Sequence, residues 1–145
     1  MPALATLTLA ALATKAGIDM ETIQSYVRLG LVAKPRRTVK GLELYPGDEV
    51  GRIVFIRRAM ELGFTRVAIR EMLGIGRRRA MTCADVYAIA DRQIADIRRR
   101  MADLKRMEAA LEPLLEACPR QGGLANCTIL SVLSRPPEPA AAAGD

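Results

Sequence analysis

The chain has 145 residues, half of them hydrophobic but only five of them aromatic, so Ala, Leu, Ile and Met supply the apolar mass, which favours helices over a β-sandwich or barrel. No apolar run reaches the ~20 residues a membrane-spanning helix needs, and the absence of histidine removes the usual general base, so the composition argues against an enzyme and against a membrane partner. The net charge of +6 lies wholly at the front: residues 1–80 carry 14 Lys and Arg against 7 acids, residues 81–145 carry 8 against 9, so a polyanion would be met by the front half.

The N-terminus is apolar up to Ala13 with no basic stretch before it, and reads as a helix of the fold, not as a signal peptide. Leu9, Leu12, Ala13 and Ala16 share one helical face, with Thr8 as N-cap and Gly17 as stop. After the turn Gly17-Ile18-Asp19, Asp19 caps a second helix that runs to about Leu29 and ends at Gly30. Two short helices around a glycine turn make a helix-turn-helix or an ordinary αα-hairpin, and the basic surroundings favour the first; its second helix is then expected to offer Thr22, Gln24, Tyr26 and Arg28 to DNA. Residues 34–45, KPRRTVKGLELY, are broken by Pro35 and Gly41 and carry Lys34, Arg36, Arg37 and Lys40. A basic hairpin beside a helix-turn-helix reads as a wing, with Arg36, Arg37, Lys40 and Tyr45 as its expected contacts to the phosphate backbone, the alternative being a surface loop made soluble by its charge.

A third helix is expected over roughly Asp48–Leu62, with Val50, Ile53, Val54 and Met60 apolar and Gly63 as its end. Thr65 starts a fourth that ends near Gly74. The segment Gly74-Ile75-Gly76-Arg77-Arg78-Arg79 reads as a hinge. The most regular pattern follows. Ala90, Ile94, Ile97, Met101, Leu104, Leu111 and Leu115 recur at alternating steps of four and three, missing only the position held by Glu108; this is the pattern of a coiled-coil seam, whose length favours a dimer over an amphipathic helix packed on its own domain. Thr82 and Asp85 have capping-box spacing at its start. Pro113 removes one backbone hydrogen bond and crowds the Ala109 carbonyl, so the helix is expected to kink or end there. Pro119, Gly122 and Gly123 mark a loop, Ile129, Leu130, Val132 and Leu133 a final turn or two of helix, and the Pro/Ala-rich tail from Arg135 reads as disordered. The expected architecture is all-α: a winged helix-turn-helix DNA-binding domain over 1–76, a hinge and antiparallel coiled-coil dimerisation helix over 77–117, a metal-binding loop and short helix over 118–134, and the tail over 135–145.

Three cysteines, Cys83, Cys118 and Cys127, are too few and too odd in number for a disulfide scaffold and fit a reducing, cytoplasmic setting. Cys83 starts the long helix and Cys118 lies just past its end, roughly 50 Å away at ~1.5 Å per residue. One chain cannot close a site over that span. An antiparallel dimer brings Cys83 of one chain beside Cys118 and Cys127 of the other and makes two equivalent sites, as a two-fold axis demands. Three thiolates without a fourth ligand suit soft ions, mercury(II) or lead(II), better than structural zinc.

These residues carry a family resemblance. The stretches LAALATKAGIDMETIQSYVRLGLV (9–32), the wing ending at Tyr45, and DEVGRIVFIRRAMELGFTRVAIREML (48–73) resemble the winged helix-turn-helix of the MerR family of regulators. The spacing of 35 residues from Cys83 to Cys118 and 9 more to Cys127, with MADLKRMEAALEPLLEAC (101–118), is similar to the soft-metal-sensing members, and the likeness covers all but the tail. It implies a homodimer on double-stranded promoter DNA that works with RNA polymerase. The metal-free form represses, and binding of mercury(II), or alternatively lead(II) or cadmium(II), untwists the DNA and switches on transcription, with no organic cofactor. The chain departs from the family where Gln24-Ser25-Tyr26 replace Arg-Tyr-Tyr and where Glu43 replaces a wing arginine. Those departures motivate a further alternative, a thiol metal-buffering or redox protein that does not bind DNA.

Overall fold

The computed structural model describes residues 5–140 and divides into two units, residues 1–94 and 95–145. The first is built from β1 (Thr6–Leu7), α1 (Leu9–Ala16), α2 (Met20–Arg28), β2 (Arg36–Arg37), β3 (Glu43–Pro46), α3 (Glu49–Glu61) and α4 (Arg66–Met72). It is mostly helical, with a small three-stranded antiparallel sheet in the order β1-β3-β2. The expectation that the N-terminal stretch is helix up to Ala13 is corrected. Thr6 and Leu7 pair with Pro46 and Tyr45 of β3, because the edge left open by the wing hairpin satisfies their backbone groups, and helix begins only after the Thr8 cap. Residues 1–4 lie outside the described residues.

Local chemistry sets the helix ends. The Thr8 hydroxyl accepts from the Ala11 amide, Asp19 from the Thr22 amide and Thr65 from the Ala68 amide, each satisfying a donor that the first turn leaves free. Gly17 closes α1 at φ +67, a conformation open to glycine without cost. Leu12, Ile23, Leu31, Ile53, Ile56 and Ile69 are fully buried and come from α1, α2, the turn after it, α3 and α4. Each such side chain contributes about 1.5–3 kcal/mol of burial. Met60, expected on the apolar face of α3, is partly exposed, and Ile56 and Ala59 take that face instead.

Arginines lock the helix-turn-helix to the helices behind it. Arg57 donates to the Gly17 carbonyl (2.9 Å), Arg70 to Leu29 (3.2 Å) and Arg52 to Leu31 (3.5 Å). These carbonyls lie at or just beyond the ends of α1 and α2, where negative partial charge accumulates. Glu49 is buried in the first turn of α3. Its Oε2 has no hydrogen-bond partner, and the Arg52 Nε stands 3.8 Å away, close enough to balance its charge.

The long helix α5 runs Cys83–Ala117, 35 residues. Its start is a capping box: Asp85 Oδ2 accepts from the Thr82 amide (2.9 Å) and the Thr82 hydroxyl from the Asp85 amide (3.2 Å). Gln93 donates to the Leu62 carbonyl (3.0 Å) and Arg92 to Glu71 (3.3 Å), fastening the first turns of α5 to α3 and α4. In the second unit α5 does not end at Pro113 but continues to Ala117. A proline costs the one bond its missing N–H would make, and the turns on either side keep theirs. A single 3-10 turn, Leu124–Asn126, and α6, Thr128–Leu133, follow. Residues 136–140 carry no regular structure, and the rest of the expected disordered tail lies outside the described residues.

Candidate nucleic-acid interface and metal centre

In α2 the burial alternates with the helical period. Ile23 and Tyr26 point to the core, while Gln24 and Arg28 are exposed and Thr22 is half-buried. The Thr22 hydroxyl donates to Asp19 Oδ2 (2.7 Å). That bond and the Thr22 amide hold the Asp19 carboxyl below its ordinary 3.8. The placement expected for Tyr26 is corrected: it is 6 % exposed and belongs to the core. It follows Ile23 by three residues, and on a helix that spacing returns to the same face. Burial pushes its phenol pKa up.

The wing is the β2–β3 hairpin. Arg36 faces Leu44 and Arg37 faces Glu43 across it. Two hydrogen bonds close the tip: the Thr38 amide donates to the Leu42 carbonyl (2.8 Å), and the Leu42 amide to the Thr38 hydroxyl (3.1 Å). Arg36, Arg37 and Lys40 are exposed. Arg37 donates to Glu43 at 3.3 Å, so this acid neutralises a neighbour on its own hairpin. Tyr45, expected as a free wing contact, is corrected to a core residue, 2 % exposed, its phenol pKa raised by burial. Its ring packs inward because it pairs with Leu7 in the central strand. Tyr45 still lines one wall of a surface depression with Gln24, Val27, Arg28, Pro35 and Glu43. That depression joins the exposed face of α2 to the wing in one surface. A second depression, lined by Asp19, Glu21, Thr22, Ser25 and Arg28, extends it along α2.

Sequence patterning missed the carbonyl-binding role of Arg52, Arg57 and Arg70. Nothing local pairs them with carbonyls 21 to 41 residues away. It also missed the Asp85 cluster, where Arg79 makes two hydrogen bonds of 3.0 Å to the carboxylate and Arg77 lies at 3.8 Å. Arg79 and the Thr82 bonds hold the Asp85 carboxyl far below its ordinary value.

All three cysteines are free thiols. Cys83 is the first residue of α5 and exposed. Cys118 directly follows α5, and Cys127 precedes α6; both are half-buried. The Thr128 hydroxyl donates to the Ala117 carbonyl (3.5 Å), which folds the loop back so that the residues next to Cys118 and Cys127 touch. Between them Arg120 (φ +59) and Gly122 (φ +100) take left-handed turns that make the loop compact. Among the described residues of one chain, no three potential ligands stand together as a metal-binding group.

The seam of α5 is bare. Ile94, Ile97, Met101, Leu104, Leu111 and Leu115 are all exposed, an apolar stripe that a lone soluble helix would not keep in water.

Comparison with known proteins agrees with this geometry. The MerR helix-turn-helix family regulatory protein model matches residues 7–74, and the MerR DNA-binding model matches residues 50–114. The mercuric resistance operon regulatory protein of Bacillus cereus is 42 % identical over 86 % of this chain and 94 % of its own length. That of Pseudomonas fluorescens is 34 % identical over 88 % and 87 %. A transcription regulator of Ralstonia metallidurans, solved in complex with lead(II), superposes with a TM-score of 0.76 at 30 % identity, covering 88 % of this chain and 99 % of that one. The chain therefore belongs to the MerR family of helix-turn-helix transcription regulators.

Proposed function

We propose that this protein is a mercury(II)-responsive regulator that binds promoter DNA as a homodimer in the cytoplasm and switches from repression to activation when the metal binds. The observation that carries the reading is the placement of three free thiols at the two ends of one 35-residue helix whose apolar seam is exposed. The donor set fits a soft ion: three sulfurs, with no histidine anywhere in the chain. Cys83 of one protomer and Cys118 and Cys127 of its partner would hold it. When bound, the metal supplies a soft Lewis-acid cross-link between chains.

The chain's own residues explain how such a link reaches DNA. Cys83 adjoins the Thr82–Asp85 capping box, and Asp85 grips Arg79 of the hinge segment. Gln93 and Arg92 tie the next turns of α5 to α3 and α4, and Arg57 and Arg70 tie those helices to the helix-turn-helix. A shift at Cys83 is thus passed to α2 through fixed hydrogen bonds. On DNA, Thr22, Gln24 and Arg28 meet the major groove, Gln24 being suited to an adenine edge, and Arg36, Arg37 and Lys40 meet phosphates. RNA polymerase at the same promoter reads the resulting DNA geometry, and no organic cofactor is required.

A second reading, lead(II) or cadmium(II) as effector, draws on the structural likeness to the regulator solved with lead(II). The test is a competitive titration of the purified protein with mercury(II), lead(II), cadmium(II) and zinc(II), followed by sulfur-to-metal charge-transfer absorbance, with Cys83→Ser as control. Mercury(II) is expected to win and its signal to vanish in the variant. A lead(II) or cadmium(II) preference selects the second reading, and equal binding by the variant overturns the intersubunit site. A thiol-buffering protein without DNA binding is refuted by specific retardation of the DNA upstream of its own gene.

A further inference from the structure

The seam of α5 contains one anomaly that the metal site does not use. Its two sets of core positions are Tyr87, Ile94, Met101, Glu108 and Leu115, and Ala90, Ile97, Leu104 and Leu111. Glu108 is the single charged residue among them, and Tyr87 is an aromatic left 72 % exposed. We propose that Glu108 sets the orientation and register in which two copies of α5 pair, by accepting a hydrogen bond from the partner's Tyr87 beside the partner's Ala90.

The argument compares the available pairings. In a parallel pair, Glu108 meets the partner's Glu108 in the core layer, setting two like charges against each other in the seam. In an antiparallel pair, each residue of the first set must face one of the second, so allowed registers differ by whole heptads. The register that overlaps the two helices almost fully has its two-fold axis near Arg99, close to the midpoint of Cys83–Ala117. Its layers then match Tyr87 with the partner's Leu111, Ile94 with the partner's Leu104, and Ile97 with the partner's Met101. Glu108 falls opposite a small residue, the partner's Ala90. The space left there takes a carboxylate, and the partner's Tyr87, one turn before Ala90, supplies a donor. Slipping one heptad in one direction buries Glu108 against the partner's Ile97, an uncompensated charge in an apolar layer. Slipping in the other direction shortens the overlap and sets Glu108 against the partner's Cys83. The single acid therefore opposes the parallel pair and the slip onto Ile97, as one polar core residue can in a helix pair, while the opposite slip is opposed by its lost overlap.

This inference rests on the homodimer of the proposed function but not on its metal, so it is tested metal-free. A nitroxide is placed at position 116, on the exposed side of α5, in a full-length protein with Cys83, Cys118 and Cys127 replaced by serine, and interspin distances are measured by pulsed electron resonance. The expected pairing puts the two labels about 50 Å apart along the helix axes at ~1.5 Å per residue. One-heptad slips give about 40 Å or about 60 Å, and a parallel pair under about 20 Å. With Glu108→Leu, which adds apolar surface and keeps the helix, the distribution is expected to gain the ~40 Å and sub-20 Å populations. A native distance of ~40 Å or less, or a Glu108→Leu protein that keeps the single ~50 Å distance, overturns the proposal. A monomer by sedimentation overturns the dimer reading along with it, whereas a dimer at the wrong distance overturns this inference alone.

Discussion

Glu43→Gln is the most informative single change in the DNA-binding unit. In the folded chain Glu43 accepts from Arg37 at 3.3 Å, with the two side chains 44 % and 74 % exposed. An ion pair that open to water is worth at most about 1 kcal/mol, and commonly less. Removing it should leave the fold's stability within about 0.5 kcal/mol of the original. Its effect on DNA is larger, because Glu43 both repels phosphate and occupies an arginine of the wing. Each phosphate neutralised by a cation steepens the plot of log affinity against log salt by about 0.9. A dimer with two wings should therefore steepen by about 1.8 in Glu43→Gln and bind on the order of tenfold tighter at 0.1 M salt. Fluorescence anisotropy with DNA from upstream of the gene, titrated between low and moderate salt, measures both. An unchanged slope would show that Glu43 does not hold Arg37 back from phosphate. Weaker binding would show that the Arg37–Glu43 pair is needed to shape the wing.

Two further consequences concern stability. Ile53→Ala opens a cavity at a fully buried position of α3 and should cost about 2–5 kcal/mol, read as a lower urea midpoint at unchanged slope; a loss under about 1 kcal/mol would mean that the site is not close-packed. Asp19 and Asp85 titrate below the ordinary carboxylate value because Thr22, and Arg79 with Thr82, hydrogen-bond their charged forms. Their contribution is therefore complete above the unfolded value of 3.8 and fades as pH falls through the lower folded values. Urea midpoints should decline from about pH 4 downward, less steeply in Asp19→Asn and Asp85→Asn, and parallel curves for native protein and variants would contradict those assignments.

Much of this molecule follows from local sequence because its elements are bounded by local chemistry. Thr8, Asp19 and Thr65 as caps, Gly17 and Gly63 as stops, and the Thr82–Asp85 box each act within about four residues, the reach of one helical turn. The long helix and the apolar stripe along it were equally legible, since the period of that stripe is set by helix geometry alone. Other features needed the tertiary structure. Tyr26 and Tyr45 look from sequence like contacts for DNA, and only the packing of α2 and β3 on the core turns their rings inward. Thr6 and Leu7 carry helix-compatible residues, yet an open strand edge brought near by the wing claims their backbone. Pro113 forbids one hydrogen bond but not a helix of 35 residues, a balance that depends on the turns around it. Arg52, Arg57 and Arg70 found carbonyls rather than phosphates because helices far apart in sequence fold side by side. Short-range steric and hydrogen-bonding rules thus determined where the elements lie, and long-range burial decided which side chains remain free to meet DNA.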